Sequence, residues 1–230
     1  MNRSKILVFY VAPVVALTSF LLFLFAYIAP VKTLHTGVAM LTVHVTQNSS
    51  DPVDGPSASV YIGALGSCSR ATNDTVSCTS PSLNPVYDLS SLPTTAPRRL
   101  LSAPPLAAAL FGLALTHSIV FFLFFTLVSY RHKLGEKSAA TLDTPAVQGL
   151  LVWIGVTGFV FGIESFVTLR IWFGKAANDF NLSTVVDGPQ LTATVGNVFI
   201  MLWVAYGFYG VLLVIAMMKY NVKTSQWTDF

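Results

Sequence analysis

Hydrophobic positions along this chain gather into four long blocks, at residues 6–29, 103–129, 147–170 and 192–218. Each block holds about 20 or more residues with very few charges, the length a helix needs to cross the hydrocarbon of a bilayer. Hydrocarbon offers no partner for unpaired backbone groups, so a span must be a helix or part of a closed barrel. The many short alternating strands that a barrel needs are absent from the pattern. Four transmembrane helices are therefore expected, joined by loops at 30–102, 130–146 and 171–191 and followed by a tail at 219–230, all in one tetraspan domain over 1–230.

The long first loop carries a different pattern. Leu41-Thr-Val-His-Val-Thr46 alternates apolar with polar residues and predicts a half-exposed strand. Residues 47–59 are rich in Asn, Ser, Asp, Pro and Gly and predict a loop. A partner strand is expected over 59–65, where Gly63 and Gly66 point to a bulge or a close backbone approach. A third strand is expected around Cys78. Residues 81–105 are rich in Pro, Ser and Thr and read as irregular, with Tyr87 and Leu92 packing back.

Composition agrees with the blocks. The chain is 53% hydrophobic and only 10% charged, with a mean hydropathy of +0.66, which marks an integral membrane protein. Its net charge of +3 comes from scattered lysines and arginines, so the basic stripe of a nucleic-acid binder is missing. Arg3 and Lys5 precede the first block as they would in a signal peptide. That block is well beyond the roughly 7–15 apolar residues of such a leader, and a retained anchor is expected.

Orientation rests on several signals. With the termini and the 130–146 loop on the cytosolic side, seven basic residues lie inside and five outside, Arg170 standing at a helix end. Arg98 and Arg99, just before the second block, weigh against this arrangement. Three Asn-x-Ser/Thr patterns support it, because Asn48, Asn73 and Asn181 all fall on the outer side as glycosylation candidates. Both cysteines, Cys68 and Cys78, fall there too, and an oxidising compartment favours their disulfide. Closing so short a loop is worth roughly 2–3 kcal/mol by the chain-entropy estimate. The fold class is thus an all-α membrane protein, a four-helix transmembrane bundle with a small extracellular, disulfide-pinned β-sheet in its first outer loop.

Polar residues inside the blocks are few. Gly155, Gly158 and Gly162 recur at helical spacing and predict a small-residue surface for close helix packing. Glu164 lies about 10 Å below the expected outer surface at 1.5 Å per residue and should face the interior. Asn197, at a similar depth in the fourth block, is its expected hydrogen-bond partner. His117 stands about 9 Å lower than Glu164. No His, Asp, Glu and Cys grouping has metal-site spacing, and neither a cofactor nor a catalytic centre is expected.

Four helices, cytosolic termini, a long first outer loop and a short second one resemble the claudin-like tetraspans. Within that group the loop resembles the fungal actin cortical patch / pH-response regulator PalI family, whose Gly-x-Leu-Gly-x-Cys segment is followed by a second Cys and a downstream Pro and Tyr. The corresponding residues here are Gly63, Leu65, Gly66, Cys68, Cys78, Pro81 and Tyr87. The Trp of the claudin Gly-Leu-Trp motif is absent, since no Trp precedes Trp153. The resemblance implies a non-enzymatic organiser of plasma-membrane domains, or an auxiliary subunit for ambient-pH signalling or cell-wall machinery at the cell cortex. Its implied partners are the lipid bilayer and a larger receptor, channel or synthase, with a homo-oligomer as a further option. The alternative from another class is a small transporter or channel using Glu164, His117 and Asn197.

Overall fold

A computed structural model describes residues 11–30, 38–45, 58–92, 107–184 and 191–228. In chain order its elements are α1 (Ala12–Ile28), β1 (Leu41–Val45), β2 (Ser59–Ile62), β3 (Ser67–Arg70), β4 (Val76–Cys78), α2 (Ala107–Ser129), a 3-10 turn (Arg131–Lys133), α3 (Glu136–Leu142), α4 (Pro145–Thr184), β5 (Leu191–Val195) and α5 (Val198–Thr228). Three helices contain stretches long and apolar enough to cross a membrane, at Ala108–Ser129, Pro145–Ser183 and Val198–Val222. Helix α1 is apolar but has 17 described residues, about 25 Å of rise. The protein is therefore a membrane protein with three span-capable helices among its described residues.

Both ends of the expected 171–191 loop differ from the reading by hydropathy, and so does the expected tail. Residues 171–184, expected in a loop, continue α4, a helix of 40 residues. No proline interrupts this stretch, and its buried residues keep the helical period. Leu151, Gly155, Gly158, Gly162, Phe166, Leu169, Phe173, Ala177 and Phe180 are all buried and follow one another in steps of three and four. At the other boundary, 192–195 was expected to open the fourth helix. It belongs to β5, whose Leu191 and Ala193 are buried while Thr192 and Thr194 are exposed, the alternation of a one-sided strand. Helix α5 begins only at Val198 and runs through most of the expected tail, to Thr228.

The described residues form two compact units. One has its residues within Phe25–Phe111 and Ser165–Met201 and contains the whole sheet. The five strands are antiparallel in the order β4-β3-β2-β1-β5, so the fifth strand comes from the 171–197 region rather than from the first loop. Leu41 faces Ile62 on one side and Val195 on the other. Leu41, Val43, Val60 and Ile62 are fully buried, and together they make the apolar face that such a small sheet needs. Gly63 allows the close approach expected there, because a Cβ at this position would collide with the backbone carbonyl of Ala29. Gly196 plays the same part against the carbonyl of Ala39.

The second unit has its residues within Met1–Leu24, Gly112–Glu164 and Leu202–Phe230 and is helical. Its centre is aromatic. Phe23 packs edge-on against Tyr206 at 4.6 Å, and Phe121 lies 4.8 Å from Tyr209. The Ser19 hydroxyl donates to the Ala205 carbonyl at 2.9 Å, and the Tyr209 hydroxyl to that of Gly155 at 3.2 Å. At the 130–146 connection Arg131 pairs with Asp143 at 3.0 Å.

Gly63→Ala is expected to destabilise the chain by about 1–3 kcal/mol, because a backbone carbonyl cannot move aside as a side chain can. Gly210→Ala, whose methyl would meet Phe159 at an ordinary 3.6 Å, should be near neutral. Thermal unfolding of both variants in detergent checks the contrast.

Candidate functional site

The segment from β2 to β4 is organised by residues of the Gly-Leu-Gly-Cys motif. The Gly63 amide donates to the Gly66 carbonyl at 2.9 Å and closes the tight connection between β2 and β3. Cys68 and Cys78 are register partners across β3 and β4, and they form a disulfide. Cys68 is fully buried and Cys78 is exposed, so the bond ties the exposed edge strand to the interior of the sheet.

Residues after β4 return across the same turn. Thr79 donates its amide to Ser67, and Ser82 its amide to Leu65 at 2.8 Å. The Tyr87 hydroxyl donates to the Gly63 carbonyl at 3.0 Å, and Asp88 donates its amide to the Ser67 hydroxyl at 2.8 Å. Tyr87 is buried, and burial raises its phenol above the ordinary tyrosine value. Gly63, Leu65, Gly66, Cys68, Cys78 and Tyr87 thus meet around one turn. Pro81 is exposed at the start of the returning segment. Leu83 and Val86 there expose 62% and 71% of their surface, which leaves an apolar rim beside the braced turn, while the β3–β4 hairpin tip is polar. The tip is built from Arg70 paired with Asp74 and from Asn73, whose Oδ1 accepts the Thr75 hydroxyl at 2.6 Å. Asp74 there takes the left-handed φ of 64°, a conformation Asp tolerates well.

The three sequons have different surroundings. Asn73 is exposed at the tip. Asn181 is half-buried, its Oδ1 accepting the Ala193 amide at 2.7 Å and its Nδ2 donating to the Ala193 carbonyl at 3.0 Å. It closes the edge of β5 as a neighbouring strand would. Asn48 lies outside the described residues.

Polar residues expected inside the membrane are arranged differently from the expectation. Gly155, Gly158 and Gly162 face Phe121, Leu213, His117, Tyr209 and Tyr206, at distances that leave no room for a side chain. Glu164 is exposed rather than turned inward. At 100° per residue it sits about 200° around the helix from Gly162, so both cannot face the same side. Asn197 is not within α5. It is exposed in the turn before the helix, and its carbonyl accepts the Ile200 amide at 3.0 Å. The premise of a buried Glu164 to Asn197 pair therefore fails at each residue separately. His117 is half-buried, its Nδ1 2.9 Å from the Leu113 carbonyl and its ring edge-on to Phe161.

Sequence reasoning missed the strand-edge role of Asn181 and the tyrosine pair of α5. A tyrosine inside an apolar helix needs a polar partner for its hydroxyl, and that was the available signal for Tyr209. Among the described residues no three His, Cys, Asp or Glu side chains are placed to hold a metal ion. Compared with models of known protein families and with curated proteins, the chain matches none.

Replacing Cys68 and Cys78 together by Ala is expected to lower stability by about 2–3 kcal/mol, read as a lower thermal midpoint. In a glycosylating host, Asn73→Gln should remove an endoglycosidase-sensitive shift on gels. Asn181→Ala should leave that shift intact and cost about 1–3 kcal/mol through the unpaired backbone of Ala193.

Proposed function

We propose that the protein is a non-enzymatic, four-span plasma-membrane scaffold or auxiliary subunit, with both termini in the cytosol and the sheet outside. In this reading α1 is the fourth span, and the chain resembles the claudin-like tetraspans of the PalI type. Its work is lateral: helix faces and the outer sheet hold a larger receptor, channel or synthase in ambient-pH signalling or cell-wall machinery.

The observation that carries the proposal is the use made of the motif. Each polar group of the Gly63–Tyr87 cluster named above serves to hold a turn, and the sulfurs are consumed in a disulfide. Such a cluster builds a stiff platform, and the exposed rim of Leu83 and Val86 beside it suits contact with a protein. The transporter alternative gains nothing from the geometry, since Asn197 stands outside its helix and Glu164 turns away from the glycine track.

Affinity purification from native membranes after crosslinking is expected to recover a larger membrane protein in fixed proportion. Cys68→Ser should reduce both surface delivery and that recovery several-fold. A chain recovered only as a monomer would overturn the proposal, and flux through reconstituted protein that vanishes in Glu164→Gln would replace it with the transporter.

A further inference from the structure

Helix α4 has a second face, over residues 150–164, that the described residues leave largely exposed. Leu150, Trp153 and Val160 expose 50%, 69% and 55% of their surface, and Glu164 is exposed beyond them. With Thr157 these positions follow one another in steps of three, four, three and four, the spacing of a seam that packs against one helix. Thr157 makes no demand on a partner, because its hydroxyl donates to the Trp153 carbonyl at 2.9 Å.

An exposed apolar face in a membrane is ordinarily covered by lipid. Glu164 is the residue that lipid does not satisfy. Its level follows from the neighbouring helix, since His117, near the middle of α2, packs against Gly158. Glu164 lies six residues further along α4, about 9 Å of rise. Half of a bilayer's hydrocarbon is roughly 15 Å thick, so the carboxylate falls within it. The ion pairs among the described residues are Arg70–Asp74 and Arg131–Asp143, and neither involves Glu164. An ionisable side chain at such a depth is costly and ordinarily meets an opposite charge or a hydrogen-bond donor.

A second copy of this chain does not meet that need. Two copies related by a two-fold axis along the membrane normal would bring Glu164 to Glu164 at the same depth, which sets like charges together. Resting on the auxiliary-subunit reading above, we infer that the Leu150–Trp153–Val160–Glu164 face seats a transmembrane helix of a different protein, which presents a Lys or Arg to Glu164. Trp153 supplies the large apolar anchor and Glu164 fixes the partner's register and depth.

The test uses the full chain in native membranes, with a photo-crosslinking residue at Val160 and, as a control, at Val214 on an exposed face of α5. Val160 is expected to capture a transmembrane peptide containing Lys or Arg, and Val214 not to capture it. Glu164→Lys should reduce that capture at least tenfold, and reversing the partner's basic residue to Glu should restore it. Glu164→Gln, which disturbs no contact within its unit, should keep the wild-type thermal midpoint and still lower capture. Lipid adducts alone, a crosslink to a second copy, a captured helix without a basic residue, or no rescue by the charge reversal would each overturn the inference. If affinity purification still recovers a partner while Val160 gives only lipid, this inference fails and the auxiliary-subunit reading stands; recovery of no partner fails both.

Discussion

Hydrocarbon contains no water to accept a hydrogen bond, and most of the helical unit can be read from that constraint. The backbone answers it by forming helices. Side chains answer it locally: Thr116, Thr157 and Ser118 donate to carbonyls three or four residues back in their own helices. Ser19 and Tyr209 answer it between helices, through the carbonyls of Ala205 and Gly155. The second kind of bond requires close approach, and the glycines of α4 permit it. Gly155, Gly158 and Gly162 bring the rings and hydroxyls of α5 and the side chains of α2 to a distance that any larger residue would prevent.

The sheet lives under a different constraint. Five short strands bury little apolar surface, and three features make up for it. The disulfide ties edge strand β4 to β3, Tyr87 reaches back to the Gly63 carbonyl, and Asn181 blunts the opposite edge at Ala193. Both edges are thus tied to the fold by something other than strand pairing. The motif residues are used in this bracing, so the surface that the bracing displays is the hairpin tip and the rim of Leu83 and Val86.

Much of this was legible in the sequence. Long apolar blocks located the span-capable helices, the alternation in Leu41-Thr-Val-His-Val located β1, and two cysteines in a polar loop gave the disulfide. Boundaries failed where an average hides a pattern. Residues 171–184 follow Arg170 and carry Lys175 and Asp179 near their apolar stripe, so mean hydropathy falls although Phe173, Ala177 and Phe180 keep helical phase. Leu191–Val195 is apolar enough to merge with the following helix, and only its period of two separates them. Asn181 reads equally as a modification signal and as a strand-edge bracket, a choice that depends on a strand 12 residues away in sequence. The direction of Glu164 was legible and overlooked, since counting turns from the glycine track places it on the other side.

That outward direction can be weighed against the cost of inserting α4. Between residues 145 and 163 there are ten Val, Leu, Ile and Phe residues. At about −0.3 to −0.6 kcal/mol each near a span's centre, they favour insertion by roughly 3–6 kcal/mol. A single acidic residue opposes this by about 2.5–3.5 kcal/mol on the same kind of scale, and by less when it stands off-centre. The apolar residues thus offset much of the cost of an off-centre Glu164. What remains is a carboxylate with no ion-pair partner among the described residues, on a side of α4 away from the glycine track. In the inferred assembly, a helix that approaches from outside the unit would gain by pairing with it.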